Sequence, residues 1–280
     1  MADSPTIKRR QLSAELRRLR TAAGMTVEEA AAELEWSRAR LGHIETGRRK
    51  RPLVTDIRAL LDLYGVEDDR EREAILDLVR GARETGWWTR YDDVFTGRFV
   101  GFEAAAHRIC TYEAAIIPGL LQSPAYIREI ARVMDPAADD LQVQRVVDSR
   151  LERQKVLNRV DDRLEYWAVI DETAVQRLGS GDMMREQVQH LVAIAENPTL
   201  SVAIQVLPIG AGLHAGLGGS FVIVDFDEAD ASPIVYLETD TDGLYLEHPR
   251  EIARYRALFQ SVRAAAMNPQ ESISYLKKLV

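Results

Sequence analysis

A single cysteine, Cys110, stands in 280 residues. This excludes an intrachain disulfide, a zinc finger and a paired-cysteine redox motif. Cys110 lies in an apolar and aromatic stretch and reads as a buried, inert thiol rather than a nucleophile. No stretch approaches the roughly 18 apolar residues of a membrane span, and no secretory leader pattern opens the chain. The expectation is a cytoplasmic protein with no membrane partner. The five histidines, His43, His107, His190, His214 and His248, show no metal-ligand spacing. A Gly-x-Ser-x-Gly elbow is missing too. Asp171-Glu172 reads as a helix cap before Thr173 rather than an acid–base pair. With no constellation of this kind, the chain is expected not to be an enzyme and to need neither cofactor nor metal.

The glycine-rich run Gly210 to Gly219 lacks the context of a phosphate loop. Such a loop needs a strand before it and a helix after, or a Gly-Lys-Ser/Thr. Here a strand, from Phe221, comes after. The run reads as a loop between strands. Its alternative is a binding loop for a partner or small effector, with His214 as the polar handle.

A surplus of positive charge is also lacking. The chain carries 36 basic and 44 acidic side chains, net -8. Taken whole, that argues against nucleic acid, which favours a basic protein. The charge is uneven, however. Residues 1–66 hold 13 basic and 9 acidic side chains, net +4, and residues 67–280 are net -12. A basic segment on an acidic body suggests two jobs.

Within the basic segment, Leu12, Leu16, Leu19 and Ala23 make one helical stripe that Gly24 ends. Thr26 and Glu29 have the spacing of a capping box, opening a short helix from Val27 to Glu33 or Leu34. Ser37 caps a third helix whose inward positions are Leu41 and Ile44. Thr46-Gly47 ends it, and four successive cations follow, Arg48, Arg49, Lys50 and Arg51. A fourth helix, about 55–64, turns Ile57, Leu60, Leu61 and Tyr64 inward. Two short helices joined by a tight turn, the second polar and basic, form a helix-turn-helix.

Thr26-Val27-Glu28-Glu29-Ala30-Ala31, Trp36-Ser37-Arg38 and Ile44-Glu45-Thr46-Gly47-Arg48-Arg49 resemble the XRE family of Cro- and phage-repressor-like DNA-binding domains. The resemblance covers about residues 10–65. It implies that Arg38, Ala39 and His43 face base edges in the major groove, and that Arg40 reaches a base or a phosphate. It places Ser37, Arg48, Arg49, Lys50 and Arg51 at the DNA backbone. Val27 stands where the family often has a DNA-contacting Gln. Gly42 costs its helix about 1 kcal/mol against Ala. It either lets the helix lie close to DNA or has no role.

Residues 67–85 read as a linker helix with Ile75, Leu76 and Val79 inward. Trp87, Trp88, Tyr91, Phe95, Phe99 and Phe102 then form a dense aromatic cluster. It serves either as core or as an interface. Residues 103–114 and 124–134 read as helices. So does 139–159, with Leu141, Val146, Val147, Leu151 and Leu157 apolar. Strands are expected at 164–170, 200–207, 221–226, 234–238 and 244–246, with a turn at Asp240-Thr241-Asp242-Gly243 making the last two a hairpin. Helices at 182–196, 251–267 and 270–279 complete the pattern. The fold class is an all-α N-terminal domain plus an α+β C-terminal domain with a mostly antiparallel sheet.

Gly86-Trp87-Trp88, Arg108 to Glu113, Ile117 to Gln122, Arg150 to Gln154, Leu207-Pro208 with Gly212 to Gly216, and Val235 to Thr239 also carry a resemblance. They are similar to the C-terminal domain of unknown function in actinobacterial XRE regulators of the WhiJ-like kind. That resemblance implies a short companion protein encoded nearby as partner or antagonist. The expected organisation is therefore a DNA-binding domain at 1–66, a linker helix at 67–85 and a regulatory, dimerisation or effector domain at 86–280. Trp87, Trp88, Tyr91 and His214 are its candidate effector or partner surface. The expected function is sequence-specific binding of double-stranded DNA in transcription regulation, by a homodimer reading half-sites roughly 34–36 Å apart. The alternative is an antitoxin-like or sequestering protein that binds the companion, with DNA binding secondary.

Overall fold

The computed structural model describes residues 4–95, 97–227, 232–239 and 243–280. The chain divides into two units, Met1–Thr89 and Arg90–Val280.

Five helices build the first unit: α1 (Pro5–Ala22), α2 (Val27–Glu33), α3 (Arg38–Glu45), α4 (Val54–Leu63) and α5 (Asp69–Ala82). Their starts are set by local chemistry. Thr26 and Glu29 close the capping box of α2 in both directions, the Ser37 hydroxyl accepts from the Arg40 amide, and Asp68 accepts from the Arg70 amide. The two hydrogen bonds from Thr26 hold the Glu29 carboxyl below its usual range. Gly24, Gly47 and Gly65 follow α1, α3 and α4 with φ of 72°, 67° and 69°, the left-handed conformation that a Cβ disfavours.

One core joins all five. Leu12, Leu16 and Leu19 of α1 meet Ala30 and Ala31 of α2, Leu41 and Ile44 of α3, and Ile57, Leu60 and Leu61 of α4. The small alanines let α2 approach closely. Each fully buried Leu or Ile contributes roughly 1.5–3 kcal/mol. Ile75, Leu76 and Val79 of α5 belong to the same core, and α5 packs along α1. The segment read as a linker helix is therefore part of the first unit, because its apolar stripe finds α1.

A 3-10 turn, Trp87–Tyr91, precedes the second unit's elements. These are α6 (Phe99–Glu103), β1 (Arg108–Glu113), α7 (Pro124–Met134), α8 (Asp140–Gln154), β2 (Glu165–Asp171), α9 (Glu172–Gln176) and α10 (Asp182–Glu196). Then follow β3 (Val202–Leu207), β4 (Phe221–Asp225), β5 (Ile234–Glu238), β6 (Gly243–Leu246), α11 (Pro249–Ala265) and α12 (Pro269–Lys277). The six strands form one sheet in the order β3-β2-β1-β4-β5-β6. The pairs β1–β2 and β2–β3 are parallel, and the other three are antiparallel. The architecture is α+β with a mixed, mostly antiparallel sheet, as the sequence predicts.

Two expectations need correction. Residues 108–113, read as the end of a helix, are the inner strand β1. Helical reading fails there because an inner strand is covered on both faces, so its apolar residues run on without clean alternation. In α8 the inward residues are Val143 and Val147, while Leu141 is 82% exposed. That helix also ends at Gln154 and tightens into a 3-10 turn, Lys155–Asn158. β5 and β6 do pair antiparallel, with Glu238 opposite Gly243, but the expected turn at 240–242 lies outside the described residues.

α11 covers one sheet face, where Ile252, Phe259 and Val262 pack on Tyr112, Val169, Phe221, Ile223 and Val235. Alternation sends Ile109, Thr111 and Glu113 of β1 to the other face. That face borders a cavity whose wall includes α8 and the 3-10 turn Gly119–Leu121.

Candidate nucleic-acid interface

The candidate interface is built on α3. Leu41 and Ile44 anchor the helix in the core, which leaves Arg38, Ala39 and His43 exposed. Two further contacts fix its C-terminal end. Ser13 of α1 donates its hydroxyl to the Ile44 carbonyl at 2.9 Å. Arg20 of α1 donates Nε and Nη2 to the two oxygens of the buried Glu45, at 2.8 and 3.0 Å, and Nη1 to the Met25 carbonyl at 2.8 Å. The hydrogen bonds it donates to Glu45 push the Arg20 guanidinium above its ordinary range. A bidentate ion pair of this kind is geometrically specific. It sets the depth and rotation at which α3 presents its outer face.

The predicted contact residues divide into three groups. Arg38, Ala39, His43, Arg48, Lys50 and Arg51 are exposed. Arg38 reaches Glu28 of α2 at 2.6 Å, but at 76% and 58% side-chain exposure this pair is weakly held. Ser37 is occupied as the cap of α3, and its hydroxyl retains acceptor and donor capacity beyond that bond. Arg40 and Arg49 are engaged inside the unit. Arg40 donates to Asp56 of α4 at 2.8 Å and stacks over the Trp36 ring at 4.1 Å. Arg49 lies 3.5 Å from the other oxygen of Asp56. The Asp56 side chain is only 5% exposed, so it is a buried carboxylate shared by two arginines. In this arrangement Arg40 ties α3 to α4 instead of facing outward with Arg38.

Sequence reasoning missed Arg20, Glu45 and Asp56. Glu45 lies inside the motif Ile44-Glu45-Thr46-Gly47, and an acidic residue amid cations was the available signal. Val27 packs partly buried against the core.

The residues predicted as an effector or partner surface have packing roles of their own. Trp87 and Trp88 meet edge to face with ring centroids 6.0 Å apart, and neither is fully buried. Tyr91 packs against Phe95, and the Arg145 guanidinium lies 5.2 Å from its ring. His214 is no outward handle. Its side chain is 10% exposed, its Nδ1 accepts from the Gly216 amide at 3.1 Å, and its ring meets the edge of Tyr112. Tyr112 in turn donates to Asp171 at 3.0 Å, and Asp171 caps α9. Gly216 is needed here, because a Cβ would lie 2.5 Å from the Tyr112 ring. The loop is thus pinned to the sheet through His214 and Gly216. Burial pushes the Cys110 thiol up to about 11, against nucleophilic use.

Among the described residues no helix is long and apolar enough to cross a membrane. Among them, too, no group of three or more His, Cys, Asp or Glu is placed to hold a metal.

The fold and this face define a helix-turn-helix protein joined to an α+β domain. Residues 11–75 match a helix-turn-helix domain, which suggests DNA binding. Residues 96–278 match a domain of unknown function, DUF5753, and the chain belongs to that family. No curated protein and no solved structure is significantly similar to the chain.

Proposed function

We propose that this protein is a sequence-specific DNA-binding transcription regulator of the XRE type, with a C-terminal domain of the WhiJ-like actinobacterial kind. It acts in the cytoplasm as a homodimer, and its C-terminal domain dimerises, senses an effector, or both. It performs no catalysis. The observation that carries the reading is the exposed row Arg38, Ala39 and His43 on a helix fixed from behind by Arg20–Glu45, flanked by Arg48 and Arg51. Base contacts specify and phosphate contacts position. A bidentate arginine on guanine is worth about 1–3 kcal/mol of discrimination. The test is a fluorescence-anisotropy titration of Arg38→Ala and Arg48→Ala on a selected site and on scrambled DNA. Arg38→Ala is expected to lower the ratio of specific to non-specific affinity about 5- to 150-fold, the equivalent of that energy. Arg48→Ala is expected to weaken both DNAs alike. Equal loss of specificity from the two variants defeats this division of roles.

A further inference from the structure

The second unit holds a cavity of about 110 Å³ between the sheet face of β1 and the α8 side. Its apolar wall is made by Phe99, Ile109, Leu120, Tyr166 and Tyr236, each no more than 9% exposed. Phe99 and Tyr236 are stacked with centroids 4.2 Å apart. Two arginines of α8, Arg150 and Arg153, also line it.

The two arginines are compensated differently. Arg153 donates Nε and Nη2 to the buried Glu103 carboxylate at 2.5 and 2.7 Å, so its charge is matched. Arg150 forms no ion pair among the described residues. Its one hydrogen bond runs from Nη1 to the Gln122 side-chain oxygen. That oxygen is presented deliberately, because Gln122 is fully buried and spends its NH₂ on the Ile117 carbonyl at 2.7 Å. Burial, then the nearby Arg153 charge, lowers the Arg150 guanidinium to about 10, with the Glu238 carboxylate opposing them, which still leaves it cationic at neutral pH. A charge taken out of water is costly unless it is paired. Arg150 is oriented, charged and without a carboxylate in contact among the described residues, and it lines the cavity.

The rest of the lining limits what can pair with it. Glu103, Glu113 and Glu238 border the same space, so an ion of two or more negative charges would be repelled. Glu238 acts on Arg150 only from beyond ion-pair contact, so Arg150 can still take one carboxylate directly. A guanidinium fork matches a planar carboxylate. A comparable cavity of about 150 Å³ accepts benzene, so this one takes a ligand of about six non-hydrogen atoms.

We propose that this cavity is a binding site for a small monocarboxylate, whose carboxylate pairs with Arg150 and whose short carbon chain lies against Phe99, Ile109 and Leu120. The site gives the effector-sensing part of the proposed function a chemical class and rests on that reading. Glu113 adds a pH dependence. Burial raises its carboxyl to about 7, and Thr111 and Ser220 hydrogen-bond to it. Glu238 from β5, Glu103 from α6, Tyr166 from β2, and Arg150 and Arg153 from α8 face the same space. Below neutrality Glu113 is protonated and tolerates a ligand carboxylate; above it, the ionised group repels one.

The probe is butyrate, followed on the full chain by saturation-transfer NMR, with butyramide and inorganic phosphate as controls. Butyrate is expected to bind saturably, and butyramide and phosphate at least 10-fold more weakly. Arg150→Met is expected to weaken butyrate at least 10-fold. Raising the pH from 6 to 8 is expected to weaken it in the native chain but not in Glu113→Gln. Absence of saturable butyrate binding, equal binding of butyramide or phosphate, or full retention in Arg150→Met overturns the assignment. The control ligands need no variant, so a misfolded Arg150→Met leaves the test intact. No DNA enters the measurement. Its failure therefore leaves the DNA-binding reading standing, and failure of DNA binding leaves the cavity's assignment standing.

Discussion

Glu45 is a carboxylate buried at 3% exposure, and Arg20 is what makes it tolerable there. Removing one member of a buried pair leaves an uncompensated charge and costs about 3–5 kcal/mol. Arg20→Met is expected to destabilise the chain by that order, read as a lower urea midpoint by circular dichroism. Adding Glu45→Leu should restore much of the loss, since an apolar pair needs no compensation. If the double variant is no more stable than Arg20→Met, the pair's charge is not what matters. Glu113 carries a pH dependence. Its folded pKa of about 7 lies above the usual 4.5. The folded chain therefore holds this proton more tightly than the unfolded chain. The resulting stability is complete below about 4.5 and is lost as the pH rises to about 7, on the order of 3 kcal/mol. Glu113→Gln should remove that slope, so denaturant midpoints of native and variant chains at pH 5 and pH 8 decide it. The capping roles of Thr26, Glu29 and Ser37 were legible in the sequence because their partners lie three residues away. The Asp56 partner of Arg40, the Arg20 partner of Glu45 and the Ser220 partner of Glu113 were not, since they lie 16, 25 and 107 residues off and only packing brings them near.

At the scale of elements, α3 carries a glycine in its middle. Nothing lies within 4 Å of a Cβ built on Gly42, and its φ is helical. The unit itself therefore gives no steric reason for glycine. Gly42→Ala should stabilise the chain by about 0.5–1 kcal/mol. If the helix backbone lies against DNA, the same change should weaken binding to the selected site. Thermal unfolding and anisotropy on one variant separate the two. A stabilised protein with unchanged affinity would mean that Gly42 has no contact role. Other elements show what periodicity delivers. The helices α1 to α4 were readable because each shows one face to a core, so apolar residues recur at helical spacing. β1 was not, because its surroundings cover both faces, and α5 was legible as a helix but not as a member of the first unit. Periodicity reports how an element is buried, not which neighbour buries it.

For the whole molecule, the charge argument changes once the units are known. Residues 1–89 hold 17 basic and 16 acidic side chains, net +1, and residues 90–280 are net -9. The helix-turn-helix unit is therefore nearly neutral, and what would favour DNA is a local patch rather than net charge. Two of the patch's cations, Arg40 and Arg49, already share Asp56. Arg48, Lys50 and Arg51, all exposed, are the expected phosphate contacts, three in each protomer. Counterion release gives a slope of about -0.9 in log K against log salt per phosphate neutralised. A homodimer using these three per protomer should show a slope of about -5, and a monomer about -3. Arg48→Ala removes one contact per protomer, so it should flatten the slope by about 1.8 in a dimer and 0.9 in a monomer. The variant thus counts the protomers on DNA without a separate mass measurement. A native slope much steeper than -7 would exceed even a dimer that also frees Arg49, and would mean that cations outside this loop join the complex.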